Sequence, residues 1–198
     1  VMVDHLGRVV DGDQLLYVLA TARHAAGELK GPVVGTVMSN LGLEHALTAQ
    51  GIGFKRAKVG DRYVLELLRQ TGGVLGGETS GHLLCLDRTT TGDAIISALQ
   101  VLAVMQQTGK SLAELAAPMP KYPQLMQNVR VAQKINTDQS EPIQAAVRNA
   151  EARLAGNGRV VLRASGTEPV IRVMVEGRDE KLVRQLVAEL SEVVAKSV

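Results

Sequence analysis

"SLAELAAPMPKYP", Ser111–Pro123, divides the chain. Ser111 and Glu114 have the three-residue spacing of a capping box, so a short helix starts here. Pro118, Pro120 and Pro123 then fall within six residues. Proline has no backbone N–H to give to a helix interior or a sheet ladder, so the run breaks any regular element. A boundary between two folded units is expected at Ala117–Pro118.

Upstream of it, strand and helix patterns alternate. "VMVD" and "RVV" read as a hairpin, Val1–Asp4 with Arg8–Val10. "DGDQLLYVLATARHAAG" reads as a helix capped by Asp11 or Asp13, with Leu15, Leu16, Leu19 and Ala22 on its apolar face. "PVVGTVM" and "IGFKRAKV" are strand-like. "NLGLEHALTAQG" and "GDRYVLELLRQTGG" are helical, the second capped by Asp61. Two short strands flank "GGETSG", and "TTTGDAIISALQVLAVMQQTG" is a long apolar helix. This order predicts an α/β domain, a mixed sheet with flanking helices. Downstream, "QLMQNVRVA", "GRVVLR" and "VIRVMVEG" are strand-like. "EPIQAAVRNAEARLAG" and "DEKLVRQLVAELSEVVAKSV" are amphipathic helices. That order predicts a smaller α+β domain.

Composition excludes several classes. The chain has 198 residues, 45% hydrophobic and 21% charged, an ordinary globular balance. No apolar run approaches the roughly 20 residues that cross a bilayer, so no membrane partner is expected. One cysteine, Cys85, allows no internal disulfide, so a cytoplasmic setting is expected and Cys85 reads as a core residue. One Phe, no Trp, three Tyr and a net charge of +2 give no stacking platform and no basic surface, so no nucleic-acid partner is expected. Residues 1–117 carry 10 Lys+Arg against 11 Asp+Glu, and residues 118–198 carry 12 against 9, so the second unit is the better place for an anion.

Two stretches carry chemistry. In "RASGTEPVIRVMVEG", Arg163–Gly177, alternation sets Ile171, Val173 and Val175 on one face of a strand and Arg172 and Met174 on the other. "ASGTEP" is then a loop between strands. Gly166 can turn backbone N–H groups into one concavity, Ser165 and Thr167 add hydroxyls, and Arg163 and Arg172 can face the same mouth. This is a phosphate site; a hairpin loop with surface arginines fits the same residues. In "GGVLGGETSGH", Gly72–His82, an extended chain would point Glu78, Ser80 and His82 to one side, where they could read sugar hydroxyls. A glycine-rich turn is the alternative.

Other patterns fail. Gly72 and Gly77 have Walker spacing, but Glu78 stands where the phosphate lysine belongs. Asp11–Asp13 lacks a third carboxylate at loop spacing and reads as helix capping. His5, His24 and His45 have no zinc spacing, so no metal ligand is assigned.

"GGETSGH" followed by "RASGTEPVIRVMVEG", with "VMVDHLGRVVDGDQ", "GTVMSNLGLE", "VGDRYV" and "LDRTTTGD" around them, resembles the C-terminal half of α-D-phosphohexomutases, most closely their bacterial glucosamine-phosphate branch. The resemblance covers nearly the whole chain. It implies four domains about one cleft, with residues 1–10 as the tail of domain two, 11–117 as sugar-binding domain three and 118–198 as phosphate-binding domain four. By position, Glu78 and Ser80 would hold sugar hydroxyls, and His82 would line the site and could assist proton transfer. Arg163, Ser165, Gly166, Thr167 and Arg172 would bind the non-reacting phosphate. The implied activity is interconversion of glucosamine 6-phosphate and glucosamine 1-phosphate through a phosphoserine and a 1,6-bisphosphate. A phosphomannomutase or phosphoglucomutase half, or a non-catalytic anion-binding module, are the alternatives. The implied cofactor is Mg²⁺. The family's phosphoserine and "DGDGDR" metal loop have no counterpart in the sequence, and Val1 opens inside a pattern already under way. The expectation is therefore that both precede residue 1, that these 198 residues alone turn over no substrate, and that newly exposed surface could make a homodimer.

Overall fold

The computed structural model describes residues 1–131, 137–165 and 168–197. They form two compact units, Val1–Lys121 and Tyr122–Val198.

The first unit opens with the antiparallel pair β1 (Met2–Val3) and β2 (Val9–Val10), followed by α1 (Gly12–Ala25). Asp11 caps α1: its carboxylate accepts the Gln14 N–H at 3.0 Å, and Gln14 Oε1 accepts the Asp11 N–H at 3.2 Å. Then come β3 (Val33–Thr36), α2 (Leu41–Thr48), β4 (Phe54–Ala57), α3 (Asp61–Thr71), β5 (Leu75–Gly77), β6 (Leu83–Cys85), α4 (Ala94–Thr108) and α5 (Leu112–Ala116). The sheet order is β4-β3-β5-β6. β3 runs parallel to β4 and β5, and β6 returns antiparallel to β5. The α/β expectation, with a mixed sheet, holds.

Successive strand residues serve different cores. Val33, Leu75, Leu83 and Cys85 pack with Leu16, Leu19, Leu43 and Val101 of α1, α2 and α4. Val34, Ala57 and Leu84 pack with Val64 and Leu68 of α3. Both faces are covered, which is why "PVVGTVM" reads as a continuous apolar run and not as an alternation. Leu15 through Ala20 of α1 are all buried, so this helix lies inside its layer. The same core takes in Met119, 3% exposed. Lys121 Nζ lies 2.5 Å from Asp11 Oδ2. The proline run thus ends the helices but packs on the first unit as far as Lys121.

The second unit holds β7 (Gln124–Arg130), α6 (Glu141–Leu154), β8 (Gly158–Ala164), β9 (Val170–Gly177) and α7 (Glu180–Lys196). Its described strands run β7-β9-β8, antiparallel throughout. Val129, Ile171, Val173 and Val175 pack with Ile143 and Leu154 of α6 and with Leu186 and Leu190 of α7. The register lays three rows across the other face: Gln124–Glu176–Arg159, Met126–Met174–Val161 and Asn128–Arg172–Arg163. In the first row the fully buried Glu176 Oε2 accepts from Arg159 Nε at 2.8 Å and lies 2.7 Å from Arg159 Nη2.

Two substitutions test these cores, followed by far-UV circular dichroism in urea because the chain has no Trp. Leu68→Ala, at a site with no exposure, is expected to cost about 2–5 kcal/mol in the first unit. Glu176→Ala leaves the Arg159 guanidinium, 18% exposed, without its carboxylate and is expected to cost about 3–5 kcal/mol in the second. A loss under 1 kcal/mol at either position would contradict the packing described.

Candidate functional site

Glu78–His82, read from sequence as either extended or a glycine-rich turn, is a tight turn joining β5 to β6. Gly81 N–H donates to Glu78 O at 2.9 Å, Glu78 N–H donates to His82 O at 3.0 Å, and Gly81 has φ +99°. The alternation argument therefore fails here: side-chain direction in a turn does not follow the period of two. Ser80 is exposed at the tip. Glu78 and His82 still converge, because they are the two ends of one turn and both meet the start of α3. Glu78 Oε1 accepts the Gly60 N–H at 2.9 Å. His82 Nε2 stands 3.9 Å from Asp61 Oδ2.

The start of α3 also differs from expectation. The N-cap is Gly60, which has no side chain to cap with, and Asp61 is the first helical residue. Glu78 supplies, from another element, the carboxylate that a helix N-terminus favours. Asp61 is left to face His82, within ion-pair reach once the imidazole is protonated. On its other side His82 meets Gly92, where a Cβ would lie 1.7 Å from Nε2. A side chain at residue 92 would therefore have to displace the imidazole.

Under the turn lies the first turn of α1. Gly12 N–H donates to Thr79 O at 3.0 Å, and a Cβ on Gly12 would sit 2.0 Å from Glu78 O. The "DGD" motif read as capping does cap the helix, through Asp11. Gly12 and Asp13 have a second role against a segment 66 residues away, which no local spacing reveals. Among the described residues no group of three or more His, Cys, Asp or Glu is placed to hold a metal ion.

In the second unit, Arg163 of β8 and Arg172 of β9 are direct cross-strand partners. The Nε of each is buried with no hydrogen-bond partner. Burial, then the charge of Arg172, pulls the Arg163 guanidinium below its usual range. Arg172 Nη2 comes only within 3.8 Å of Glu168. Ser165, 5% exposed, donates its N–H to Val170 O at 2.9 Å, and its Oγ accepts the Glu168 N–H at 3.2 Å. Gly166 and Thr167 lie outside the described residues. Asn128 of β7, opposite Arg172, extends the row. Sequence reading passed over it because the register joining it to Arg172 links strands over 40 residues apart.

Like charges set directly opposite on an antiparallel pair repel. The two guanidiniums thus stand opposed, each with a buried Nε donor that has no partner among the described residues.

Residues 11–122 match the family described as "Phosphoglucomutase/phosphomannomutase, alpha/beta/alpha domain III", and residues 126–193 match its "C-terminal domain". The chain is 57% identical over 197 residues to a phosphoglucosamine mutase of Methylococcus capsulatus, covering 100% of this chain and 44% of the relative. It is 62% identical over 180 residues to one of Alkalilimnicola ehrlichii, covering 91% and 40%. It thus spans less than half the length of the relatives it matches. Its fold matches that of Aspergillus fumigatus N-acetylphosphoglucosamine mutase, in complex with GlcNAc-6P and magnesium, with TM-score 0.80, 20% identity and coverage of 96% of this chain and 44% of the other. The chain belongs to the phosphoglucomutase/phosphomannomutase family, whose third α/β/α domain and C-terminal domain it contains.

Proposed function

We propose that this chain supplies the sugar- and phosphate-holding part of a phosphoglucosamine mutase interconverting glucosamine 6-phosphate and glucosamine 1-phosphate. The observation that carries the reading is the opposed pair Arg163 and Arg172, each with a buried, unpartnered Nε. These groups take the phosphate that is not reacting, with the Ser165 hydroxyl beside them. Gly166 and Thr167 are assigned to the same phosphate from the sequence alone. In the first unit Glu78 keeps one oxygen on Gly60 and has the other to accept a sugar hydroxyl. Ser80 offers a hydroxyl at the turn tip, and His82, backed by Asp61, can hold a proton. Energy from the remote phosphate contact serves to orient the reacting end of the sugar.

The glucosamine assignment draws on the relatives, named phosphoglucosamine mutase at 54–62% identity. The family description alone leaves glucose or mannose phosphates open. Competition among the three hexose 6-phosphates ranks them, and the reading requires glucosamine 6-phosphate to bind best. Magnesium is named with the Aspergillus fumigatus mutase. Among the described residues no group of three or more His, Cys, Asp or Glu is placed to hold it.

Arg163→Met tests the phosphate assignment by opposing signs. Without ligand the variant is expected to be more stable by about 0.2–1 kcal/mol, because the like-charge pair is gone. Its affinity for glucosamine 6-phosphate, measured by calorimetry, is expected to fall about tenfold or more. Phosphate is expected to stabilise the parent chain and to stabilise the variant less. Unchanged affinity would end the reading. Gly92→Ala tests the His82 environment. The imidazole is half-exposed and can rotate away, so stability is expected to change by about 1 kcal/mol or less. The ¹⁵N signals of His82 should nevertheless shift and phosphosugar affinity should drop. Unmoved His82 signals would contradict the contact.

A further inference from the structure

Asp13 is a fully buried carboxylate that the proposed chemistry does not use. Its Oδ2 accepts the Asn40 N–H at 2.9 Å and the Thr79 hydroxyl at 2.8 Å. Its Oδ1 is buried with no hydrogen-bond partner. Burial, the largest influence, raises its carboxyl pKa and the charge of Asp11 adds to the rise, while the donors from Asn40, Thr79 and Ser39 oppose it. A buried carboxylate with an orphaned oxygen is costly to keep. Helix capping does not explain it, because Asp11 already caps α1.

The position of Asp13 offers an explanation. Thr79 sits inside the Glu78–His82 turn, and Asn40 is the N-cap of α2, where its own side chain accepts the Gly42 N–H at 3.0 Å. The carboxylate thus ties the first turn of α1 to the start of α2 and to the turn that presents Glu78. The Gly12 N–H bond to Thr79 O holds the same residue by its backbone. Thr79 is gripped at both ends, by its carbonyl and by its hydroxyl, from two successive residues of one helix. We propose that Asp13 is a positioning residue for the sugar-holding turn, acting through the Thr79 hydroxyl. It never touches ligand; it fixes the turn on which Glu78 and His82 stand. The consequence for ligand binding rests on the sugar-holding reading above, whereas the latch itself does not.

The test uses this chain with Thr79→Val, which keeps shape and removes the hydroxyl, Thr79→Ser, which keeps the hydroxyl, Asp13→Ala, which removes the acceptor, and the Asp13→Ala/Thr79→Val double variant. Amide hydrogen exchange is read at Gly12, Glu78 and Gly81, the three donors that hold the turn, with melting temperature and glucosamine 6-phosphate affinity alongside. Thr79→Val is expected to speed exchange at these amides, to weaken binding about tenfold and to lower the melting temperature by a few degrees. Thr79→Ser should restore both. The double variant should be no worse than the poorer single variant, since both remove the same bond. Unchanged exchange in Thr79→Val, or additive losses in the double variant, overturns the latch. Altered exchange with unaltered affinity overturns the positioning role. If the parent chain binds no phosphosugar while exchange still responds, the latch stands and the sugar-holding reading falls.

Discussion

The contact on which the first unit's site depends is backbone against backbone: the first turn of α1 beneath the Glu78–Gly81 turn. Glu78 O lies where a Cβ of residue 12 would be, and the Gly12 N–H reaches Thr79 O at 3.0 Å. A helix N-terminus has spare N–H donors, and a tight turn has spare carbonyls. Bringing the two together satisfies both, but only if no side chain intervenes. Once that approach is fixed, the remaining positions follow. Asp13, one residue on, reaches the Thr79 hydroxyl, and the ends of the turn are held at the start of α3, where Glu78 finds Gly60 and His82 finds Asp61.

The second unit solves a different problem, that of keeping two arginines unneutralised. A carboxylate is available in the same sheet, but Glu176 is consumed by Arg159. The Met126–Met174–Val161 row separates that ion pair from Asn128–Arg172–Arg163. Met174 at the centre of that row is 1% exposed, while Met126 at its end is 50% exposed. Glu168 approaches Arg172 only at 3.8 Å from an exposed position, where such a pair is worth little. Among the described residues the strand pair therefore carries its like-charge repulsion with no close carboxylate to offset it.

Much of this was legible because it is local. The capping box at Ser111–Glu114 and the alternation of Ile171, Val173 and Val175 against Arg172 and Met174 depend on neighbours within a few residues. The arginine pair could be anticipated because β8 and β9 are joined by a short loop, so a hairpin brings Arg163 and Arg172 near each other. What failed did so for want of non-local information. The run from Glu78 to His82 suggests alternation until the turn closes. Asp61 makes a plausible cap until Gly60 takes the N-cap position and Glu78 arrives from 18 residues away. Asp13 reads as a second capping candidate, since its partners Asn40 and Thr79 are 27 and 66 residues distant.

The two sites also differ in how they buy precision. Arg163 and Arg172 stand on paired strands, where the ladder sets their spacing and a fixed anion geometry can be matched without further support. Glu78, Ser80 and His82 stand on a turn, which has no ladder of its own through its middle. Such a turn can present several side chains toward different hydroxyls of one ring, but its own backbone is free to fray. Packing it on Gly12, tying Thr79 to a buried carboxylate and wedging His82 against Gly92 remove that freedom from three sides. Each device costs stability, through a glycine in a helix turn, an orphaned Oδ1 and a close glycine contact, and that cost is intelligible only if the position of the turn matters more than the stability given up.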